Sequence, residues 1–73
     1  MITLFNGKIA LGDVASFSEN DQTMVGTVRL KAADVSGVSV GDRVIYPKAA
    51  SRIVRYDGKE YIVLKFSEAD GKV

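Results

Sequence analysis

Carboxylates are the residues of this chain that could do chemistry, because its 73 residues include no histidine and no cysteine. A general base that titrates near neutral pH, a thiol nucleophile and the usual zinc ligands are therefore all missing. Paired carboxylates can still act in acid–base catalysis or bind a hard cation, but no calcium-binding loop spacing occurs. Nor is there a phosphate-binding glycine loop.

Most of the acidic residues lie in predicted turns, where the side chain accepts hydrogen bonds from backbone N–H groups. They are Asp13, Glu19, Asp21, Asp34, Asp42, Asp57, Glu60, Glu68 and Asp70. We therefore expect no enzyme, no metal site and no cofactor.

Aromatic and basic side chains form the second set with possible chemistry. Small five-stranded barrels of the OB type bind single-stranded nucleic acid by stacking bases on exposed aromatics beside Arg and Lys. Aromatics at alternating strand positions are more often core or interface residues. The net charge of +1 comes from interspersed charges and provides no basic block for phosphates. Nucleic-acid binding is thus a secondary hypothesis, resting on Tyr46, Tyr56, Tyr61, Arg29, Arg52, Arg55 and Lys65.

The elements that must position these residues are strands. Valine and isoleucine are frequent, seven glycines punctuate the chain, and no window carries apolar residues at helical spacing. We predict strands over 8–14, 23–30 and 43–46, with a polar loop over 15–22 and a connector after residue 30. On the second strand, Met24, Val28 and Leu30 are predicted to share a face.

A β-hairpin is the best-determined element. Asp57-Gly58 between two β-rich runs is a strong signal for a tight type I′ turn. Two-residue closure pairs Arg55 with Glu60, an opposite-charge pair across the strands. The face predicted to line the interior carries Ile53, Ile62, Leu64 and, further along, Phe66. The other face carries Arg52, Val54, Tyr61 and Val63. That face is apolar enough to suggest contact with a neighbouring chain, although scattered exposed apolar groups alone need no partner.

Chain length and patterning together predict one all-β domain over residues 1–73, a small, partly open β-barrel. A domain of this size has a thin core and modest stability, and with no disulfide or metal available its remaining support is self-association. No apolar run reaches the ~20 residues needed to span a bilayer, and no signal peptide opens the chain. We expect a cytoplasmic protein without membrane contact.

The C-terminal half resembles the GroES-type co-chaperonins. The turn Val38-Ser39-Val40-Gly41-Asp42, the strand to residue 45, the hairpin over 53–64 and the acidic Ser67-Glu68-Ala69-Asp70 follow in the family's order with similar spacing. Gly26-Thr27-Val28 looks like the family's strand before its roof loop. The resemblance implies a GroES-like β-barrel that self-associates and docks, without catalysis, on a chaperonin ring.

Two departures from the family bear on that function. The family has a long flexible loop after its first strand, ending in a glycine-apolar anchor that docks on the ring; here only residues 15–22 separate the strands. The family's last apolar strand pairs with the first strand of the next subunit; here Gly71-Lys72-Val73 stands in its place. We expect the partner contact at Phe17, Met24 and Val25. The expected subunit interface comprises Ile2, Leu4, Tyr61 and Val63.

Two assembly roles remain nearly balanced. One is a short co-chaperonin-like module that self-associates and caps or clamps a larger protein ring. The other is a structural accessory barrel of a viral particle, in the capsid or tail, suggested by the short loop and the hairpin with two apolar faces. The expected partner is a chaperonin ring or a viral structural protein, and the location is cytoplasm or virion accordingly.

Overall fold

The described part of the chain forms six strands in one antiparallel sheet. The computed structural model describes residues 3–17, 19 and 22–73. The strands are β1 Lys8–Ser16, β2 Thr23–Lys31, β3 Arg43–Pro47, β4 Arg52–Tyr56, β5 Lys59–Lys65 and β6 Gly71–Lys72. Their order across the sheet is β4-β5-β1-β2-β3-β6. Single 3₁₀ turns at Lys48–Ala50 and Phe66–Glu68 follow β3 and β5. The prediction of a small, partly open all-β domain is confirmed.

The β4–β5 hairpin has the predicted register. Arg55 lies opposite Glu60, and Tyr56 opposite Lys59. Asp57 and Gly58 have φ angles of 54° and 76°, and a type I′ turn requires positive φ at both positions. The Arg55 Nη2 to Glu60 Oε2 distance is 3.0 Å, so the predicted cross-strand ion pair is present.

The core lies on one face of the sheet and is closed by the connection between β2 and β3. Buried core side chains come from β1, β2, β3 and β5: Ile9, Leu11, Val28, Val44, Tyr46 and Leu64. Residues 32–42, predicted only as a connector and turn, add Ala32, Val35 and Val38 to the same cluster. This connection is therefore part of the hydrophobic core.

A register shift in the β1–β2 pair corrects the predicted face of β2. Ala10 lies opposite Leu30, but its neighbour Leu11 lies opposite Val28. Consecutive strand residues point to opposite faces, so Leu30 and Val28 do not share a face. Val28 is in the core, and Leu30 lies on the outer side with Ala10. The extra residue in β2, a β-bulge, is the physical reason.

A second bulge lies in β1 between Gly12 and Ala15. Asp13 adopts a positive φ of 52°, and its carboxylate accepts a hydrogen bond from Arg29. Val14 packs against the core just after this point. The bulge therefore keeps an apolar side chain inward at the end of β1, from which the loop to β2 emerges.

Candidate functional site

Strands β1 and β2 stay hydrogen-bonded to each other up to the point where the loop between them begins. Ser16 lies opposite Met24, and the Phe17 amide donates to the Thr23 carbonyl at 2.9 Å. At the other end, the Lys48 amide donates to the Gln22 carbonyl, also at 2.9 Å. The predicted strand over 8–14 thus continues to residue 16, and the loop begins at Phe17.

The three predicted partner-contact residues lie near one end of the sheet but differ in exposure. Phe17 is 53% exposed. Met24 is half-buried and packs against the core. Val25 is 4% exposed and lies between Ala15 and Ile45 in the sheet. Phe17 therefore presents more free apolar surface than Met24 or Val25, and Val25 offers almost none.

An apolar groove of about 480 Å³ opens beside Met24, between β4 and the end of β3. We call it the seam groove, because it lies where the curled sheet does not close. Ile53 was predicted to line the interior and does share a face with Ile62, but it is 65% exposed. Among the strands that the structure describes, β4 is the last in the sheet order, so none of them lies beyond it. The groove is lined by Val14, Met24, Tyr46, Lys48, Ser51, Arg52, Ile53 and Ile62.

The outer side of the hairpin carries the predicted interface residues Tyr61 and Val63, both half-buried. Val63 lies opposite Ala10, and Ala10 lies opposite Leu30 on β2. Val54 lies opposite Tyr61. An outer apolar face therefore runs from the hairpin across β1 to β2, with Val54, Tyr61, Val63 and Leu30 as its partly accessible members.

The N-terminal segment divides its side chains between the core and solvent. Leu4 is half-buried and packs against the core cluster, whereas Phe5 is 88% exposed. Ile2, the other predicted interface residue of this segment, lies outside the described residues. Phe5 is an apolar surface residue that sequence reasoning missed. The sequence offered no signal for it, because Leu4 and Phe5 are adjacent apolar residues outside any strand.

Tyr46 does not belong to an exposed aromatic surface. Its side chain is 1% exposed in the core, and burial raises the pKa of its hydroxyl. The nucleic-acid hypothesis placed Tyr46 among bases, so that assignment was wrong. Tyr56 is 43% exposed at the end of the hairpin.

The turn before β3 is held by Asp42. The Ser39 amide donates to Asp42 Oδ2 at 2.9 Å, and Lys72 Nζ lies 3.5 Å from the same oxygen. The backbone hydrogen bond from Ser39 is the main reason that the pKa of Asp42 is lowered, and the Lys72 charge contributes. Asp42 thereby ties the family-like turn to β6, which pairs with Val44 and Ile45.

Residues 3–17, 19 and 22–73 include no group of three or more His, Cys, Asp or Glu side chains placed to hold a metal ion. The same residues contain no helix long and apolar enough to cross a membrane.

Comparison with known proteins identifies the family. The sequence model described as "Chaperonin 10 Kd subunit" (Cpn10) matches residues 5–73. "Co-chaperonin GroES" of Anoxybacillus flavithermus is 58% identical over 31 residues, which cover 42% of this chain and 33% of the relative. The protein of the same name from Geobacillus kaustophilus is 55% identical over 31 residues, with the same coverage. These two matches therefore span about a third of each relative's length. "Co-chaperonin GroES" of Campylobacter concisus is 30% identical over 64 residues, which cover 88% of this chain and 74% of the relative. Because the family match runs through nearly the whole chain, the protein belongs to the Chaperonin 10 Kd subunit family.

Proposed function

We propose that this protein is a non-enzymatic co-chaperonin module that self-associates and docks on a chaperonin ring. The observation that carries the proposal is the family match over residues 5–73, together with relatives named as co-chaperonins. A protein of this kind acts by binding rather than by bond chemistry, and it would work in the cytoplasm beside the ring.

Docking on the ring is assigned to the end of the sheet where β1 and β2 meet the loop. Phe17 supplies the exposed anchor, since its aromatic side chain is 53% exposed and its backbone is fixed to Thr23. Met24 lies beside it at the opening of the seam groove. Buried aromatic anchors dominate many protein interfaces, and Phe17 would become one when covered. Val25 follows Met24 in the same strand, and at 4% exposure it adds little surface to the contact.

Self-association is assigned to the outer apolar face and the N-terminal segment. Tyr61 and Val63 lie half-buried on that face, and a neighbouring chain would complete their burial. On the N-terminal segment, Phe5 has the larger free surface, and Leu4 supports it from the core side. Measuring the mass of the native particle would give the number of subunits.

The two alternative roles have weaker support. No observation of the fold or of the relatives favours a component of a viral particle. For nucleic acid, Tyr46 is buried and so does not present its ring to a base. The net charge of +1 gives no basic surplus for phosphate binding. We therefore put forward the co-chaperonin role alone.

Mixing experiments test this role directly. The protein is incubated with a purified bacterial chaperonin ring and ATP, and co-elution and ATPase rate are measured. We expect co-elution and an altered ATPase rate for the wild type and loss of both for Phe17→Ser. Val40→Ser is the matched control, because Val40 is 61% exposed but lies in the β2–β3 connection. Absence of co-elution at high molar excess would contradict the proposal, and so would equal losses in both variants.

Native mass spectrometry tests the assembly part separately. We expect an oligomer for the wild type and for Phe17→Ser, and dissociation for Phe5→Ser combined with Tyr61→Ser. A wild-type monomer at concentrations well above those used for docking would refute the proposed interface.

A further inference from the structure

We propose that the seam groove binds an extended peptide segment that alternates apolar side chains and carries a carboxylate. This site adjoins the proposed ring docking at Phe17 and shares Met24 with it, and its occupant is identified by the chemistry of the groove. Three independent features support it: the lining, the free edge of β4 and the charge at the rim.

The lining favours an apolar occupant. Its floor consists of Val14, Met24 and Ile62, all half-buried, with Tyr46 beneath. Ile53 stands at the edge with 65% of its surface exposed, although its partner Ile62 packs against the core. A side chain laid between Ile53 and Met24 would bury apolar surface on both sides, which is the main source of binding free energy for such a site.

The edge of β4 favours an extended occupant. Among the described strands, β4 pairs with β5 alone and ends the order of the sheet, so no described strand bonds to the backbone groups on its other edge. An added strand satisfies such groups, and pockets beside the edge then select its alternate side chains. The seam groove lies beside this edge, since Arg52 and Ile53 of β4 line it.

The rim favours a negative charge on the occupant. Lys48 and Arg52 are both exposed and line the groove, whereas no Asp or Glu does. Among the described residues, neither cation has an ion-pair partner. Arg55, on the same strand, differs because Glu60 neutralises it at 3.0 Å. A carboxylate on the incoming strand could pair with Lys48 and Arg52 through charge-assisted hydrogen bonds.

Selection from a phage library of random peptides tests the proposal with the folded, full-length protein. We expect the selected peptides to be enriched, relative to the starting library, in alternating Val, Ile or Phe and in Asp or Glu. Binding of a selected, fluorescein-labelled peptide should perturb the amide NMR signals of Met24, Ile53 and Ile62. The affinity of the peptide should fall with rising salt.

Charge-reversal variants separate the groove from general electrostatics. Lys48→Glu with Arg52→Glu should weaken the peptide at least about tenfold, because charge-assisted hydrogen bonds would be lost. The control is Arg43→Glu with Lys65→Glu, which changes the net charge by the same amount at exposed positions outside the groove. It should leave the peptide affinity within about twofold of the wild type. Far-UV circular dichroism is the check that both variants remain folded. Ile53→Ser, at an exposed site, should also weaken binding.

Two results would overturn the proposal. One is a selection that yields no acidic-apolar enrichment. The other is a peptide whose affinity is unchanged in the Lys48 and Arg52 variant, which would place its binding elsewhere. Neither result depends on a chaperonin ring, so failure here is distinguishable from failure of the proposed co-chaperonin role.

Discussion

Replacing Gly26 with alanine should destabilise the protein, whereas the same replacement at Gly71 should not. Both glycines lie in strands, in β2 and β6. A Cβ added at Gly26 would lie 3.0 Å from Leu11 Cβ and 3.1 Å from Val14 Cγ2. A Cβ added at Gly71 would meet only the Ile45 side chain, at 4.0 Å, which is ordinary van der Waals contact. The matched pair therefore separates steric overlap from the general effect of alanine.

The magnitude follows from two opposing terms. Overpacking a filled core costs about 1–3 kcal/mol, while Gly→Ala at a compatible site gains about 0.4–1 kcal/mol by restricting the unfolded chain. Leu11 Cβ is attached directly to the backbone of central strand β1, so it cannot rotate away. We expect Gly26→Ala to lower the free energy of unfolding by about 1–2 kcal/mol. For Gly71→Ala we expect no loss and a gain of up to about 1 kcal/mol.

Urea denaturation followed by tyrosine fluorescence measures both changes. The chain has three tyrosines and no tryptophan, and Tyr46 reports on the core. A small domain has an m value of roughly 1 kcal/mol per molar urea, so Gly26→Ala should shift the midpoint down by about 1–2 M. Protein concentration is held fixed, because self-association would itself stabilise the folded state. A Gly26→Ala protein as stable as the wild type would refute the steric argument, and so would equal losses at both sites.

Three further predictions concern stability. Leu11→Ala, at a side chain with 0% exposure, should cost about 2–5 kcal/mol in the same urea assay. Arg55→Ala should cost less than about 1 kcal/mol, because the Arg55 and Glu60 side chains are 79% and 53% exposed; a larger loss would refute this. Asp42 has a folded pKa below its ordinary 3.8, so its contribution is complete above that pH and is lost as pH falls through the lowered value. Thermal melts across this range should show a shallower acid loss for Asp42→Ala, and parallel acid limbs would contradict the assignment.

The strands and the hairpin register could be predicted because their signals are local. Asp57-Gly58 specifies the turn, and the turn fixes every pair up to Ile53 and Ile62. β-branched residues between glycines likewise placed β1, β2 and β3 within two residues of their ends. Local chemistry decides these features, so the sequence alone is sufficient for them.

The bulges could not be predicted, because they depend on how two strands meet. Nothing in the sequence around Asp13 requires a positive φ, and its ion pair with Arg29 exists only once β1 and β2 are aligned. The shift beside Leu30 likewise moved that residue to the outer face. Exposure of Ile53 has the same kind of cause, since it depends on β4 being the last strand in the sheet.

The candidate site was predicted in part for a related reason. Phe17 was identifiable as the one large apolar residue in a polar loop, and it is exposed. Leu4 and Phe5 are adjacent apolar residues, and only the packed structure shows that Leu4 faces the core. Lys48 and Arg52 come together with Met24 only when the sheet curls. Pattern identifies apolar surface residues, whereas folding decides which of them form one site.

The short β1–β2 connection sets how a ring could be bound. Hydrogen bonds fix the connection at Phe17 and at Gln22, which leaves residues 18–21 between the two attachments. At about 3.6 Å per residue, a segment of this length held at both ends reaches only about 9 Å from the barrel. A docked partner must then lie against the end of the sheet itself, close to Met24 and Ile53. Ile53→Ser should therefore weaken ring docking as well as peptide binding, measured by the same co-elution assay. Full docking by that variant would mean that the partner contacts the loop alone and would refute this expectation.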